Sequence, residues 1–141
     1  MITDPHTIIA LSDAGAHASQ LCDACYSTYL LGHWVRDRKT FTLEQAVHHL
    51  TQRPAEMFGI TDRGLLAEGR PADLVIFDPE TVGPGPLRRV YDLPAGADRI
   101  VADAIGIDAV VVNGSLIRRN GKDVARTGRL PGRLLRSGRA S

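Results

Sequence analysis

No stretch of the 141-residue chain approaches the roughly 18 uninterrupted apolar residues that a membrane-spanning helix needs, so neither a spanning helix nor a membrane partner is expected. The N-terminal residues Met1-Ile2-Thr3-Asp4-Pro5-His6 lack a basic region followed by an apolar core, and no secretory leader is expected. Cysteine is scarce. Cys22 and Cys25 are the only two, too few for a disulfide framework, which makes a reducing, cytoplasmic setting the expectation. Histidine pairs of the kind that bind zinc are missing as well. The chain has no His-x-His and no His-Glu-x-x-His, so no self-sufficient zinc site can be read from it.

What is present suits an ordinary domain. The apolar fraction is 43% and the charged fraction 23%, which excludes wholesale disorder. The net charge of +1 conceals an asymmetry: residues 1–110 carry a balance of −6, and residues 111–141 a balance of +7. A basic tail can attract nucleic acid or an anionic membrane. This one has no aromatic residue on which a base could stack, and a loosely packed surface tail without a nucleic-acid partner is the expectation.

The first 60 residues read as strand, loop and helices. Ile8-Ile9-Ala10-Leu11 is a continuous apolar run that suits a strand buried on both faces of a parallel sheet. Ser12-Asp13-Ala14-Gly15-Ala16-His17 reads as the loop leaving its C-terminal end. Tyr26, Tyr29, Leu30, His33 and Trp34 fall near helical spacing, predicting an aromatic, partly buried helix over residues 24–36. Thr42 and Gln45 have capping-box spacing, followed by the stripe Leu43, Ala46, Val47 and Leu50. Pro54 is expected to open a short helix that ends at Phe58 and is closed by Gly59.

After Gly64 the pattern turns to β. Residues 72–78 form an apolar strand between Pro71 and Pro79, and residues 83–96, with three prolines and three glycines, read as an irregular loop. Asn113-Gly114 between two β-branched runs predicts a hairpin, and Asn120-Gly121 predicts a third short strand. Beyond Val124 irregular chain is expected. One parallel-type strand cannot form a sheet alone, so either a second chain completes it or the chain is a piece of something longer.

Several residues could carry chemistry. Asp13 follows a buried-type strand in a small-residue loop, the place where a (β/α) barrel keeps its catalytic side chains. A carboxylate there could bind a metal, take a proton from a metal-bound water, or both; it could equally cap the following segment. His17 could share that site and contact a substrate if the loop turns back, or be a surface histidine. His48 and His49, adjacent on a helix, point about 100° apart and are expected at the surface or boundary rather than on one ion. Cys22-Asp23-Ala24-Cys25 has CxxC spacing but no second pair, and two half-buried thiols are the better reading.

Together these residues resemble a family. Thr51-Gln52-Arg53-Pro54-Ala55-Glu56-Met57-Phe58-Gly59-Ile60, then Arg63-Gly64, Gly69, residues 72–78 and Asn113-Gly114, look like the C-terminal part of metal-dependent amidohydrolases. Ser12 to His17 and Tyr29-Leu30-Leu31-Gly32-His33-Trp34-Val35-Arg36 are similar to amidohydrolase family 3, the N-acyl-D-amino-acid deacylase branch. The likeness covers about residues 8–125.

The resemblance implies an α/β fold: the last strand and helices of a (β/α)8 amidohydrolase barrel, followed by part of a small β-sandwich. Residues 1–60 would be the barrel remnant, 61–125 the sandwich portion and 126–141 the basic tail. It implies a hydrolase acting on a linear amide C–N bond of a small N-acyl amine through a metal-activated water. Zinc, one or two ions, would be the cofactor of the complete enzyme. Asp13 would approach the metal and act as general base, then as proton donor to the leaving amine. The family's remaining metal ligands precede barrel strand eight and cannot be placed here, so the isolated chain is expected to hold no zinc and to be inactive. The stretch from Ala14 to Leu31 has no Arg or Lys, whereas such deacylases commonly place a carboxylate-binding arginine there. A non-catalytic β-rich binding or assembly module is the alternative. An exposed apolar edge, open to a second copy or to the missing part of the barrel, is expected in either case.

Overall fold

The computed structural model describes residues 1–11, 17–125 and 128–136. The helical half begins with α1 (Tyr26–Tyr29), which runs directly into a π-helical segment, Leu30–Asp37. The Arg38 amide reaches back to the His33 carbonyl at 2.8 Å, the wider i→i+5 closure that the aromatic pattern does not announce. Helix α2 (Leu43–Leu50) opens with the full capping box: the Gln45 amide bonds the Thr42 hydroxyl, and the Thr42 amide bonds the Gln45 side chain.

The buried face of α2 differs from the expected stripe. Ala46 is fully buried, His49 is buried and Val47 is exposed, because Phe41, outside the helix, draws the His49 edge inward. Helix α3 spans Gln52–Met57, so Pro54 is its third residue rather than its first. Its end is a Schellman closure, with the Ile60 amide on Ala55 O and the Gly59 amide on Glu56 O.

Ile8 to Leu11, expected as a buried parallel strand, forms no strand. A strand exists only with a ladder partner, and among the described residues no strand pairs with this segment. Ile9 instead packs its side chain against the core.

The β half is antiparallel throughout. Its main sheet has the order β1 (Leu74–Phe77), β6 (Ile107–Val112), β7 (Ser115–Arg119), β8 (Lys122–Asp123). Asn113 and Gly114 take φ of 46° and 75°, the left-handed pair that a two-residue hairpin turn demands, and Asn120 and Gly121 repeat it. The segment expected to be irregular is partly ordered. β2 (Gly83–Pro84) pairs with β5 (Ala104–Ile105), and β3 (Arg88–Val90) with β4 (Arg99–Val101). These ladders escape an apolar-pattern reading because arginine–aspartate pairs hold the second: Arg89 with Asp98 across the strands, and Arg99 on Asp92 with two 2.7 Å bonds. The described tail residues 128–136 form no helix or strand, and Pro131 O accepts the Asn113 side-chain amide.

Val82, 1% exposed, joins the halves. It leaves the β1 end of the sheet and enters a cluster of Leu30, Leu31, Phe41 and Ala46. Arg36 of the π-helix clasps the same connection, donating to Val82 O at 2.7 Å and Glu80 O at 3.2 Å. Two glycines make room for it. A Cβ on Gly32 would sit 2.7 Å from Val82 O, and one on Gly106 2.6 Å from Val82 N. Gly106 also has φ of 72°, and its carbonyl accepts the Asp78 amide.

A second buckle links the residues that carry the family resemblance. One oxygen of Asp73 accepts the Asn113 amide at 2.7 Å, and the other pairs with Arg63, whose side chain is 8% exposed. The Gly114 amide bonds Ala72 O.

The core is nonetheless small. Strand β1 lies at an edge of its sheet with Val75 and Ile76 each more than half exposed.

Candidate functional site

The apolar segment Ile8 to Leu11 leads to Asp13, the residue predicted as general base and metal ligand. Asp13 lies outside the described residues. His17 has φ of 55° and starts a tight turn: its carbonyl accepts the Gln20 amide at 2.7 Å and the Leu21 amide at 2.9 Å. The His17 imidazole is exposed. At the corner of the turn, Ala18 O accepts the Ile100 amide of β4 at 2.8 Å. That bond ties the loop after Asp13 to a strand eighty residues further along, a link with no signal in local sequence.

The other candidate ligands do not gather around this turn. His33 stacks on Tyr29 with ring centroids 4.8 Å apart and meets Trp34 edge-on. His48 is exposed, while His49, expected at the surface or boundary, is buried beside Phe41. Its Nδ1 finds no hydrogen-bond partner among the described residues, and burial, then Arg53 and His48, push its pKa down. Burial in the core thus favours its neutral form. The thiols of Cys22 and Cys25 are free and half-buried; Cys25 bonds the Cys22 carbonyl, and burial followed by its neighbour Cys22 pushes its pKa up. A thiol held protonated is a poor nucleophile, which agrees with packing rather than redox chemistry.

A cleft of about 720 Å³ lies between the π-helix, α2 and the β1–β2 connection, floored by Leu31, Val35, Phe41 and Val82. Among the described residues, His17, Cys22, Cys25, His48 and His49 do not line it. Among the described residues no three His, Cys, Asp or Glu side chains come together as a metal site. Zinc needs three or four protein ligands, so the described residues alone do not fit one. No helix among them is long and apolar enough to cross a membrane.

The Pro54-Ala55 helix with its Schellman end, the Arg63–Asp73–Asn113 buckle and strand β1 are built from the residues on which the family resemblance rests. The chain belongs to the amidohydrolase family, whose sequence pattern matches residues 1–118. It is 40% identical over 109 residues to the N-acyl-D-glutamate deacylase of Alcaligenes xylosoxydans xylosoxydans, a match covering 77% of this chain and 20% of that protein. The crystal structure of D-aminoacylase superposes with a TM-score of 0.57 at 34% identity, over 78% of this chain and 21% of that one. N-acyl-D-glutamate deacylase from Bordetella bronchiseptica, solved with zinc and a phosphonate that mimics the tetrahedral intermediate, is 40% identical with a TM-score of 0.50. That likeness covers 64% of this chain and 17% of that one. The chain thus spans about a fifth of the length of the relatives it matches.

Proposed function

We propose that this chain is the C-terminal segment of a metal-dependent amidohydrolase that cleaves the linear amide bond of an N-acyl-D-amino acid. Residues 1–60 would close a (β/α)8 barrel, residues 61–125 would form part of a β-sandwich, and residues 126–141 a basic tail. The observation that carries the reading is the 40% identity with N-acyl-D-glutamate deacylase over 109 residues, which runs through both parts of the chain.

In the complete enzyme Asp13 takes a proton from the attacking water as its oxygen bonds to the acyl carbon. When the C–N bond breaks, the same carboxyl returns that proton to the leaving amine nitrogen. Zinc, as carried by the complexed relative, supplies water activation and oxyanion stabilisation in such sites. Its cage would come from barrel strands outside this chain. His17, exposed four residues after Asp13, would stand at the substrate side of the loop. The isolated chain is inactive on this reading, with the remainder of the barrel as its partner.

The test is a chimaera in which these 141 residues replace the matching part of the Alcaligenes enzyme, assayed for amine release from N-acyl-D-amino acids. A folded, zinc-loaded chimaera should turn over, and Asp13→Asn should lower kcat by at least ~10² while zinc stays bound. Unchanged turnover in Asp13→Asn removes that residue from the mechanism. A folded, loaded but inert chimaera argues for the non-catalytic module.

A further inference from the structure

The β3–β4 hairpin has no evident part in the core, for none of residues 88–101 is buried. Its tip exposes Tyr91 and Leu93. Three solvent-facing ion pairs nonetheless brace it. Arg89 pairs with Asp98 across the strands, Arg99 grips Asp92, and Arg88 grips Asp103 at the base. Below the base the Gly85 amide bonds Asp103 O at 2.7 Å, and the β2–β5 ladder follows, ending next to Val82 in the core. The hairpin is thus an arm rooted in the core.

The middle of β4, not the tip, meets the turn at His17. In its ladder Arg88 faces Val101, Arg89 faces Ile100 and Val90 faces Arg99. The Ile100 amide bonds Ala18 O at 2.8 Å, so it points away from β3 and serves the turn. The turn is itself closed by the two bonds onto His17 O, and among the described residues the Ile100 amide ties its corner to β4.

We propose that the β3–β4 hairpin is a positioning strut that sets the His17–Gln20 turn through the Ile100–Ala18 main-chain bond. The proposal extends the catalytic reading, since the turn it holds follows Asp13 by four residues in sequence. Ile100 is a positioning residue and acts through its amide, not its side chain.

Ile100→Pro deletes the donor at an outward-facing edge position, where proline is tolerated. Ile100→Val keeps it. In this chain, hydrogen exchange should show the Gln20 and Leu21 amides exchanging at least ~10-fold faster in Ile100→Pro, with the β6–β7 amides and Ile100→Val unchanged. Unchanged turn exchange in a proline variant whose β6–β7 protection persists overturns the strut. Should Ile100→Pro lose protection everywhere, Asp98→Asn decides: it loosens the hairpin, and the turn amides must then exchange faster while β6–β7 hold, or the proposal fails. In the active chimaera Ile100→Pro should lower kcat ~10-fold with KM within about twofold, the split expected of a displaced catalytic loop. The exchange result judges the strut without reference to Asp13, and Asp13→Asn judges the catalytic reading without reference to the strut.

Discussion

Gly32→Ala gives a prediction whose sign separates two effects. Gly32 lies inside the π-helical segment, where alanine is ordinarily preferred over glycine by about 1 kcal/mol. On propensity alone the substitution should stabilise. The added Cβ, however, would stand 2.7 Å from Val82 O and 3.3 Å from both Gly83 Cα and Arg36 Nη2. The first contact is with backbone, which cannot rotate aside, and the displaced residue is the buried one that joins the two halves. Overpacking of this kind costs ~1–3 kcal/mol. Retreat of Val82 also loosens the Arg36 clasp on its carbonyl. The net expectation is a loss of about 1–2 kcal/mol, which for a chain of this length lowers Tm by about 3–7 °C. Trp34, the sole tryptophan, packs against the core cluster and reports the melt by fluorescence. A Tm raised by about 3 °C, as propensity alone requires, would refute the close approach and the junction built on it.

Two further outcomes follow from buried charge. Asp73→Ala leaves the Arg63 guanidinium with only the more distant Asp62 carboxylate at 3.9 Å and the Asn113 amide without its acceptor, and should cost about 1–2 kcal/mol, given that Asp73 is itself partly exposed. Asp73→Asn should recover part of this by keeping the acceptor; equal melting of both variants would contradict the buckle. His49 has a folded-state pKa below its unfolded value, so between the two the unfolded chain binds more protons. Stability is therefore full above about pH 6.5 and falls as pH drops from there toward the folded pKa. The thermal midpoint of His49→Gln should fall less steeply between pH 7.5 and 5.5 than that of the parent; parallel curves would place His49 in water.

Features decided within a few residues were legible in the sequence. Asn113-Gly114 and Asn120-Gly121 announce left-handed turns, and Thr42 with Gln45 announces a helix start, because each needs only its own neighbours. Features decided at a distance were not. Ile8 to Leu11 has the composition of a buried strand but no described ladder partner. The burial of His49 depends on Phe41, which lies outside the helix, and the β3–β4 ladder depends on ion pairs rather than apolar alternation. The chemistry proposed for Asp13 rests on resemblance, since one carboxylate after an apolar run fits a helix cap equally well. The anchoring of the next turn by Ile100 could not be read at all, because a main-chain amide has no sequence signature.

On the proposed reading, Asp13 belongs to a metal site whose other ligands lie outside this chain. The most direct measurement is the zinc content of the purified 141-residue chain after incubation with zinc and exhaustive dialysis, with amide hydrolysis assayed on the same sample. Zinc well below one ion per chain and no hydrolysis are expected. Stoichiometric zinc with measurable turnover would contradict that reading, and would require a complete ligand set within these residues.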